Sequence, residues 1–283
     1  MQKIQVTTSD NYPLSATWFE PTQANAKVLL ISSALGLKQQ FYADFAQFFA
    51  DYGYHVYTYD YRGIGESKPA EGIRSMRTVL SDWGTLDFPA MAAYIQAQHP
   101  NQKYYLIGNS FGGNCLGMSE ASSLFTAFVT VGAQHGYWRL FWKNKQPLLF
   151  VFWYLLIPIL SRVYGYFPSR LVGIGEDLPK GVALEWGKFC RHPQWVFAFL
   201  PEHKNYYPTL AKPILAISLA DDYQAPQRAV DKLHTEGYQK AQVERLHLHP
   251  SEIGAKSIGH FGFFRKKFKE SLWPLALQWF EKH

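Results

Sequence analysis

Residues 103–114, KYYLIGNSFGGN, join an apolar strand directly to the start of a helix, leaving no room for a loop between them. A run as apolar as Lys103–Asn109 is expected to be buried on both faces, as in the middle of a parallel sheet. Gly108 and Gly112 flank Ser110 at two residues on either side, the spacing G-x-S-x-G. At a sharp strand-to-helix turn, side chains two before and two after the central residue collide unless they are absent. The glycines therefore predict a turn that lifts the Ser110 hydroxyl off the end of the sheet and leaves the N–H of Phe111 free to face an anion.

The rest of the chain supplies the sheet that this turn requires. Lys3–Thr8 and Leu14–Glu20 read as a hairpin turning at Asp10–Asn11. Lys27–Ser33, His55–Asp60, Leu124–Val131, Pro213–Leu219 and Gln242–His249 read as further strands. Helical spacing falls between them at about Gln39–Tyr52, Thr78–His99, Phe111–Glu120 and Gln227–Glu236, with a last helix over roughly Lys267–Lys282. This alternation predicts an α/β fold with a mostly parallel central sheet covered by helices on both faces, made mixed by the initial hairpin.

The rhythm stops at residues 135–210. That segment is crowded with Trp, Tyr and Phe in a chain that is 17% aromatic. A structureless loop of that length is improbable, so a lid of several short helices, broken at Leu178–Pro179–Lys180–Gly181 and His192–Pro193, is expected between the sixth and seventh strands. The core is then residues 1–134 and 211–283. The chain's longest apolar run, Pro147–Leu160 in the insertion, is shorter than the roughly 20 residues of a membrane span and contains Pro158. It is expected to cover a pocket or to lie on a surface; peripheral membrane contact through the lid is the lesser expectation.

The formal charge of +6 includes one short basic cluster, Phe264–Lys269. A nucleic-acid partner would need a broad basic face with aromatic platforms, which this is not. Two cysteines, Cys115 and Cys190, with no C-x-x-C spacing, predict neither a disulfide framework nor a zinc site. The N-terminus lacks an apolar signal core, so the expected location is cytoplasmic. The Gly-rich Tyr61–Ser67 lacks the Gly-Lys-Ser of a phosphate loop and reads as a scaffold turn, while Asp82 and Asp87 read as helix-capping carboxylates. No cofactor and no metal are expected.

A serine hydroxyl attacks only when a base takes its proton, so a histidine and an acid to orient it are needed. Of ten histidines, His247 and His249 alternate on an outer strand, His55 sits in a buried one, His99 precedes a helix-ending proline, and His283 is terminal. His260 lies in the Gly-punctuated loop Ser257–Gly262 between the last strand and the last helix. Asp221 and Asp222 follow the strand Pro213–Leu219, and adjacent side chains leave a loop in different directions, so one of the two is expected to reach the imidazole. Asp222, four residues before Pro226, is the favoured choice.

DYRGIGES, IGNSFGGN, the DD-x-x-A-P segment and IGHFGFFR together resemble the α/β-hydrolase superfamily over nearly the whole chain. The branch is similar to the serine aminopeptidase and monoacylglycerol lipase-like proteins. Ala34–Leu35–Gly36, Gly136–Tyr137–Trp138–Arg139, Leu178–Pro179–Lys180–Gly181 and Glu185–Trp186 resemble a bacterial group of predicted α/β-hydrolases without a settled substrate. The resemblance implies the α/β-hydrolase fold and a triad in the chain order Ser110, Asp222, His260. It aligns Ser33–Gly36 through Phe41–Tyr42 with the oxyanion loop, where Leu35 N–H would join Phe111 N–H, although Ser33–Ala34–Leu35–Gly36 stands here in place of the usual His-Gly. Serine at position 110, rather than aspartate, excludes the dehalogenase and epoxide-hydrolase chemistries. The expectation is a serine hydrolase acting on a small apolar ester, with thioester, amide or acyl-transfer chemistry, or ligand binding without catalysis, as alternatives. Tyr137, Trp138, Phe141 and Trp142 are the expected pocket aromatics, the competing reading being that such residues form the lid's own core.

Overall fold

A computed structural model describes all 283 residues. Ten strands occur in the order β1 (Gln2–Thr7), β2 (Pro13–Phe19), β3 (Lys27–Ser32), β4 (Tyr54–Tyr59), β5 (Lys103–Asn109), β6 (Ala127–Val131), β7 (Tyr166–Phe167), β8 (Leu178–Pro179), β9 (Pro213–Leu219) and β10 (Gln242–Leu248). Eight of them form one sheet in the order β1-β2-β4-β3-β5-β6-β9-β10. The β1–β2 and β2–β4 pairs are antiparallel and every other pair is parallel.

Alternation along each strand divides the interior into two layers. Val28, Leu30, Leu106, Phe128, Ile214 and Ala216 face one; Leu29, Ile31, Ile107, Val129, Leu215 and Ile217 face the other. Both faces are thus apolar and both are covered, which explains the near-continuous apolar runs in the sequence. The second layer is closed by the helix Ala43–Asp51 and the C-terminal helix Trp273–Lys282.

Three helices differ from the sequence expectation, each for a tertiary reason. The helix after Ser110 ends at Asn114 rather than running to Glu120. Tyr207 lies flat on Gly117, where a Cβ would stand 2.0 Å from its ring, and its hydroxyl donates to the Asn114 carbonyl at 2.5 Å. That carbonyl is the one the next helical turn would have used. The last helix begins at Trp273 and not near Lys267, because Lys266–Phe268 is a separate 3-10 turn and the Trp273 indole is tied to the Phe263 carbonyl at 2.8 Å. The apolar run Pro147–Leu160 lies inside one helix of 22 residues, Lys143–Tyr164. A π turn at Phe152–Leu156 precedes Pro158 and carries the helix past it.

Between β6 and β9 the chain forms this helix, a second at Lys180–Arg191, several short turns and the β7–β8 pair, which sequence reading did not foresee. Trp153, Ile157, Val182, Phe189 and Trp195 share one continuous core with the first sheet layer. The insertion therefore packs on the sheet domain rather than around a separate core of its own. Asp82 caps its helix by accepting from Val79 N–H and Thr78 hydroxyl, both at 2.9 Å. Asp87 does not cap. It is fully buried and binds the Arg62 guanidinium at 2.6 Å and the Arg62 N–H at 2.9 Å, pinning the Tyr61–Ser67 turn to the helix. A lone buried carboxylate would be costly, and the pairing with Arg62 offsets that cost.

Candidate active site

The parallel strands β3, β5, β6 and β9 end along one rim of the sheet, and the expected site residues gather there. Ser110 follows β5 with φ 50 and ψ −117, a conformation unfavourable to a residue with a Cβ. Strain of this kind costs on the order of 1–3 kcal/mol and persists only where surrounding structure enforces it. Here the enforcement is visible. Ser110 N–H is bound by the Val131 carbonyl at 2.8 Å. A Cβ on Gly108 would stand 2.4 Å from the Gly113 nitrogen, and one on Gly112 would stand 2.0 Å from the Ser32 carbonyl oxygen. Neither position tolerates a side chain without moving backbone.

Asp222 and His260 form the second part. His260 Nδ1 lies 2.6 Å from Asp222 Oδ2, and both side chains are buried. The other Asp222 oxygen accepts from Gln224 and Ala225 N–H at 2.8 and 3.0 Å, so the carboxylate cannot swing away. The imidazole lies on Gly132, where a Cβ would be 3.2 Å from its Nδ1 and Cε1. Val131 holds Ser110 and the next residue, Gly132, carries His260, so the hydroxyl and the imidazole flank the same strand end. Ser110 and His260 make no direct hydrogen bond in this structure.

Asp221 takes a different part. Its carboxylate accepts from Ile258 N–H at 2.8 Å and Gly259 N–H at 3.0 Å, clamping the loop that presents His260. The two adjacent aspartates thus point to opposite sides of one turn, with Asp222 on the imidazole and Asp221 on the backbone beneath it.

Leu35 N–H and Phe111 N–H have no acceptor within the protein. The segments that carry them are in backbone contact, because Gly112 packs on the Ser32 and Ser33 carbonyls. A buried chain of hydrogen bonds sets their relation. Ala34 N–H donates to the Tyr42 hydroxyl at 2.9 Å, that hydroxyl donates to Asn109 Oδ1 at 3.0 Å, and Asn109 Nδ2 donates to the Val131 carbonyl at 3.1 Å. Burial raises the Tyr42 phenol well above its ordinary value, keeping it a neutral donor. Tyr42 and Asp221 were not anticipated as supporting residues. The Phe41–Tyr42 pair had been aligned with the oxyanion loop only by resemblance, and no local pattern marks either role.

Aromatic rings outside the expected set pack against this constellation. Phe261 packs edge-on against His260 at 4.7 Å and meets Phe41 at 6.2 Å. Phe111 stands edge-on to Trp83 and Tyr61, which stack on each other at 4.6 Å. Of the expected pocket aromatics, Trp138 packs against Phe150 and Tyr154, Phe141 is buried, Tyr137 is half-buried, and Trp142 is exposed to solvent. The insertion reaches the rim elsewhere. Glu176 N–H donates to the Gly36 carbonyl at 2.8 Å, and its carboxylate pairs with Lys68, Arg170 and, at 3.4 Å, Lys38. Burial alone would raise this carboxyl, but Lys68 and Arg170, with Lys38 beyond them, more than offset it and hold it at about 2.

No three His, Cys, Asp or Glu side chains converge in a metal-binding geometry. His247 is bound to Ser218 at 2.8 Å on the edge strand. Both cysteines are buried free thiols, pushed up by burial.

Residues 23–159 match the family model described as serine aminopeptidase, S33. No curated protein matches the chain significantly. Among solved structures, an esterase from Pyrococcus furiosus is similar at a TM-score of 0.66 and 16% identity, over 99% of this chain and 90% of that one. An esterase from Thermogutta terrifontis is similar at 0.59 and 15%, over 100% and 99% of the two chains. An α/β serine hydrolase from Xanthomonas campestris described as lacking a lid is similar at 0.56 and 13%, over 98% and 94%. At these identities the likeness speaks for the fold. With the strand order, the turn at Ser110 and the family model matched over residues 23–159, it shows that the chain has the α/β-hydrolase fold.

Proposed function

We propose that this protein is a serine hydrolase of carboxylic esters with an apolar acyl group, working through Ser110, His260 and Asp222. The observation that carries the reading is the meeting at one strand end of a strained Ser110 and an imidazole already bound to a buried carboxylate. His260 Nε2 takes the Ser110 proton as Oγ attacks the acyl carbon, and Asp222 stabilises the imidazolium that forms. Leu35 and Phe111 N–H receive the developing oxyanion. Their lack of protein acceptors leaves both free for that task, and the Tyr42 chain keeps them in place without reorganisation. His260 then protonates the leaving alcohol, and water, activated by the same imidazole, releases the acid from the acyl-enzyme.

Phe41, Phe111 and Phe261 bring apolar surface to the reacting centre, which favours an alkyl or aromatic acyl group over a charged one. The insertion serves as the lid in this reading, with Tyr137 and Trp138 on the segment that leaves the rim. The esterase descriptions of two structural neighbours agree with an ester substrate. Thioesters and amides would use the same groups.

Fluorophosphonate labelling and p-nitrophenyl ester turnover test the proposal. Wild type is expected to label and turn over, while Ser110→Ala loses labelling and falls by a factor on the order of 10⁴ or more. Labelling that persists in the variant would move the nucleophile elsewhere, and an acyl-length series would report the pocket's depth.

A further inference from the structure

The helix Lys143–Tyr164 is apolar on both sides. Trp153, Ile157 and Ser161 are buried, with Trp153 against Trp186 at 4.7 Å and the Arg191 guanidinium bonded to the Trp153 carbonyl at 2.8 Å. A surface helix packed in this way normally turns polar residues outward. This one presents Leu148, Val151, Leu155, Ile159 and Val163, spaced three or four residues apart and 64, 39, 47, 53 and 73% exposed. The stripe is about 22 Å long at 1.5 Å per residue. Phe150 and Tyr154, 45 and 39% exposed, lie on the same helix. A contiguous patch of this kind marks a contact surface.

The charges around the stripe say what it contacts. From Arg139 to Arg170 the chain carries five basic residues, Arg139, Lys143, Lys145, Arg162 and Arg170, and no acidic one. All five are exposed, three before the stripe, Arg162 in its last turn and Arg170 in a later turn, and only Arg170 has a carboxylate partner. Two copies paired through this face would set cation against cation at both ends, which disfavours a dimer. An apolar stripe between basic ends instead complements an anionic bilayer, with the aliphatic side chains below the headgroups and the lysines and arginines among them.

We propose that this face docks the protein on anionic phospholipid membranes, with the helix lying in the interface. With a mean hydropathy of 1.7 over its best window, the helix is long and apolar enough to cross a membrane, but Trp153, Ile157 and Ser161 are buried against the folded domain, with Leu149, Phe152 and Leu160 partly buried beside them. Crossing would bury that domain's polar groups in hydrocarbon, so the helix lies flat. Pro158, which with the run's length counted against a span in the sequence, does not interrupt the helix. The inference is independent of the hydrolase reading, since none of the stripe residues belongs to the site.

Co-sedimentation of the full chain with vesicles of phosphatidylcholine, alone or mixed with phosphatidylserine, tests it. Wild type is expected to partition about tenfold more strongly onto the mixed vesicles. Leu155→Asp with Ile159→Asp should weaken that binding about tenfold or more, and Lys143→Glu with Lys145→Glu should weaken it about fivefold or more on the mixed vesicles only. Circular dichroism and melting temperature should match wild type in both variants, which separates loss of docking from loss of fold and needs no turnover. Wild type that fails to pellet at millimolar lipid overturns the proposal, as does an aspartate variant that pellets like wild type. A wild-type dimer in sedimentation equilibrium that the aspartate pair dissociates would assign the face to a second copy instead.

Discussion

The strand-end rim and the helix Lys143–Tyr164 solve opposite problems. At the rim, polar groups are buried, and nearly all of them have partners: both Asp222 oxygens, both Asp221 oxygens, the Tyr42 hydroxyl and the Asn109 amide are engaged. Leu35 and Phe111 N–H, the donors the proposed chemistry uses, are among the groups left without acceptors. On the helix, apolar groups are exposed and have no partner within the chain. Buried polar groups without partners, and exposed apolar groups in a continuous stripe, are both disfavoured in a chain that acts alone. In the readings proposed above, the rim meets a reacting substrate and the helix meets a bilayer.

The comparison is broken most severely at the aspartate pair. Asp222→Asn should lower kcat by about 10⁴, because the imidazole loses both its orientation and its counter-charge. Asp221→Asn should lower it only about tenfold, since one amide oxygen still accepts from the loop. Equal losses in steady-state ester turnover would contradict the division of labour drawn here.

The two faces of the helix offer the next largest contrast. Ile157→Ala removes a fully buried side chain and should cost about 2–4 kcal/mol in urea unfolding. Ile159→Ala, on the exposed stripe, should stay within about 0.5 kcal/mol of wild type. A large loss at Ile159 would mean that the stripe is covered within the protein.

Tyr42→Phe should reduce kcat by about 10- to 50-fold with KM little changed, because the hydroxyl that holds Ala34 relative to Asn109 acts on the transition state and not on ground-state binding. An increase in KM alone would assign Tyr42 to substrate binding. The smallest effect is expected where insertion and rim meet. Glu176 stands at about 2 against its ordinary 4.5, so its contribution to stability is complete above about pH 4.5 and is lost as pH falls towards 2. Glu176→Gln should cost about 1–2 kcal/mol near neutrality, a modest figure because Arg170 and Lys38 are solvent-exposed, and the difference from wild type should vanish at low pH. A difference that persists at low pH would show that packing, and not charge, joins insertion to rim.

The sequence by itself determined the sheet and the turn at Ser110, because both rest on local rules. Apolar runs such as Lys27–Ser32 and Lys103–Asn109 must be buried on both faces, and Gly108 and Gly112 stand where any Cβ would strike backbone. It also placed His260 in the loop before the last helix and narrowed the acid to two neighbours. Only the tertiary structure showed which of those neighbours meets the imidazole, since the direction of each carboxylate is set by groups 37 and 38 residues away in sequence. The same holds for Asp87, drawn from a capping role into a buried pair with Arg62, and for the helix stopped at Asn114 by Tyr207. Composition marked 135–210 as aromatic. Which of its rings face the core and which face outward depended on how the insertion packs onto the sheet, a long-range fact that no local pattern encodes.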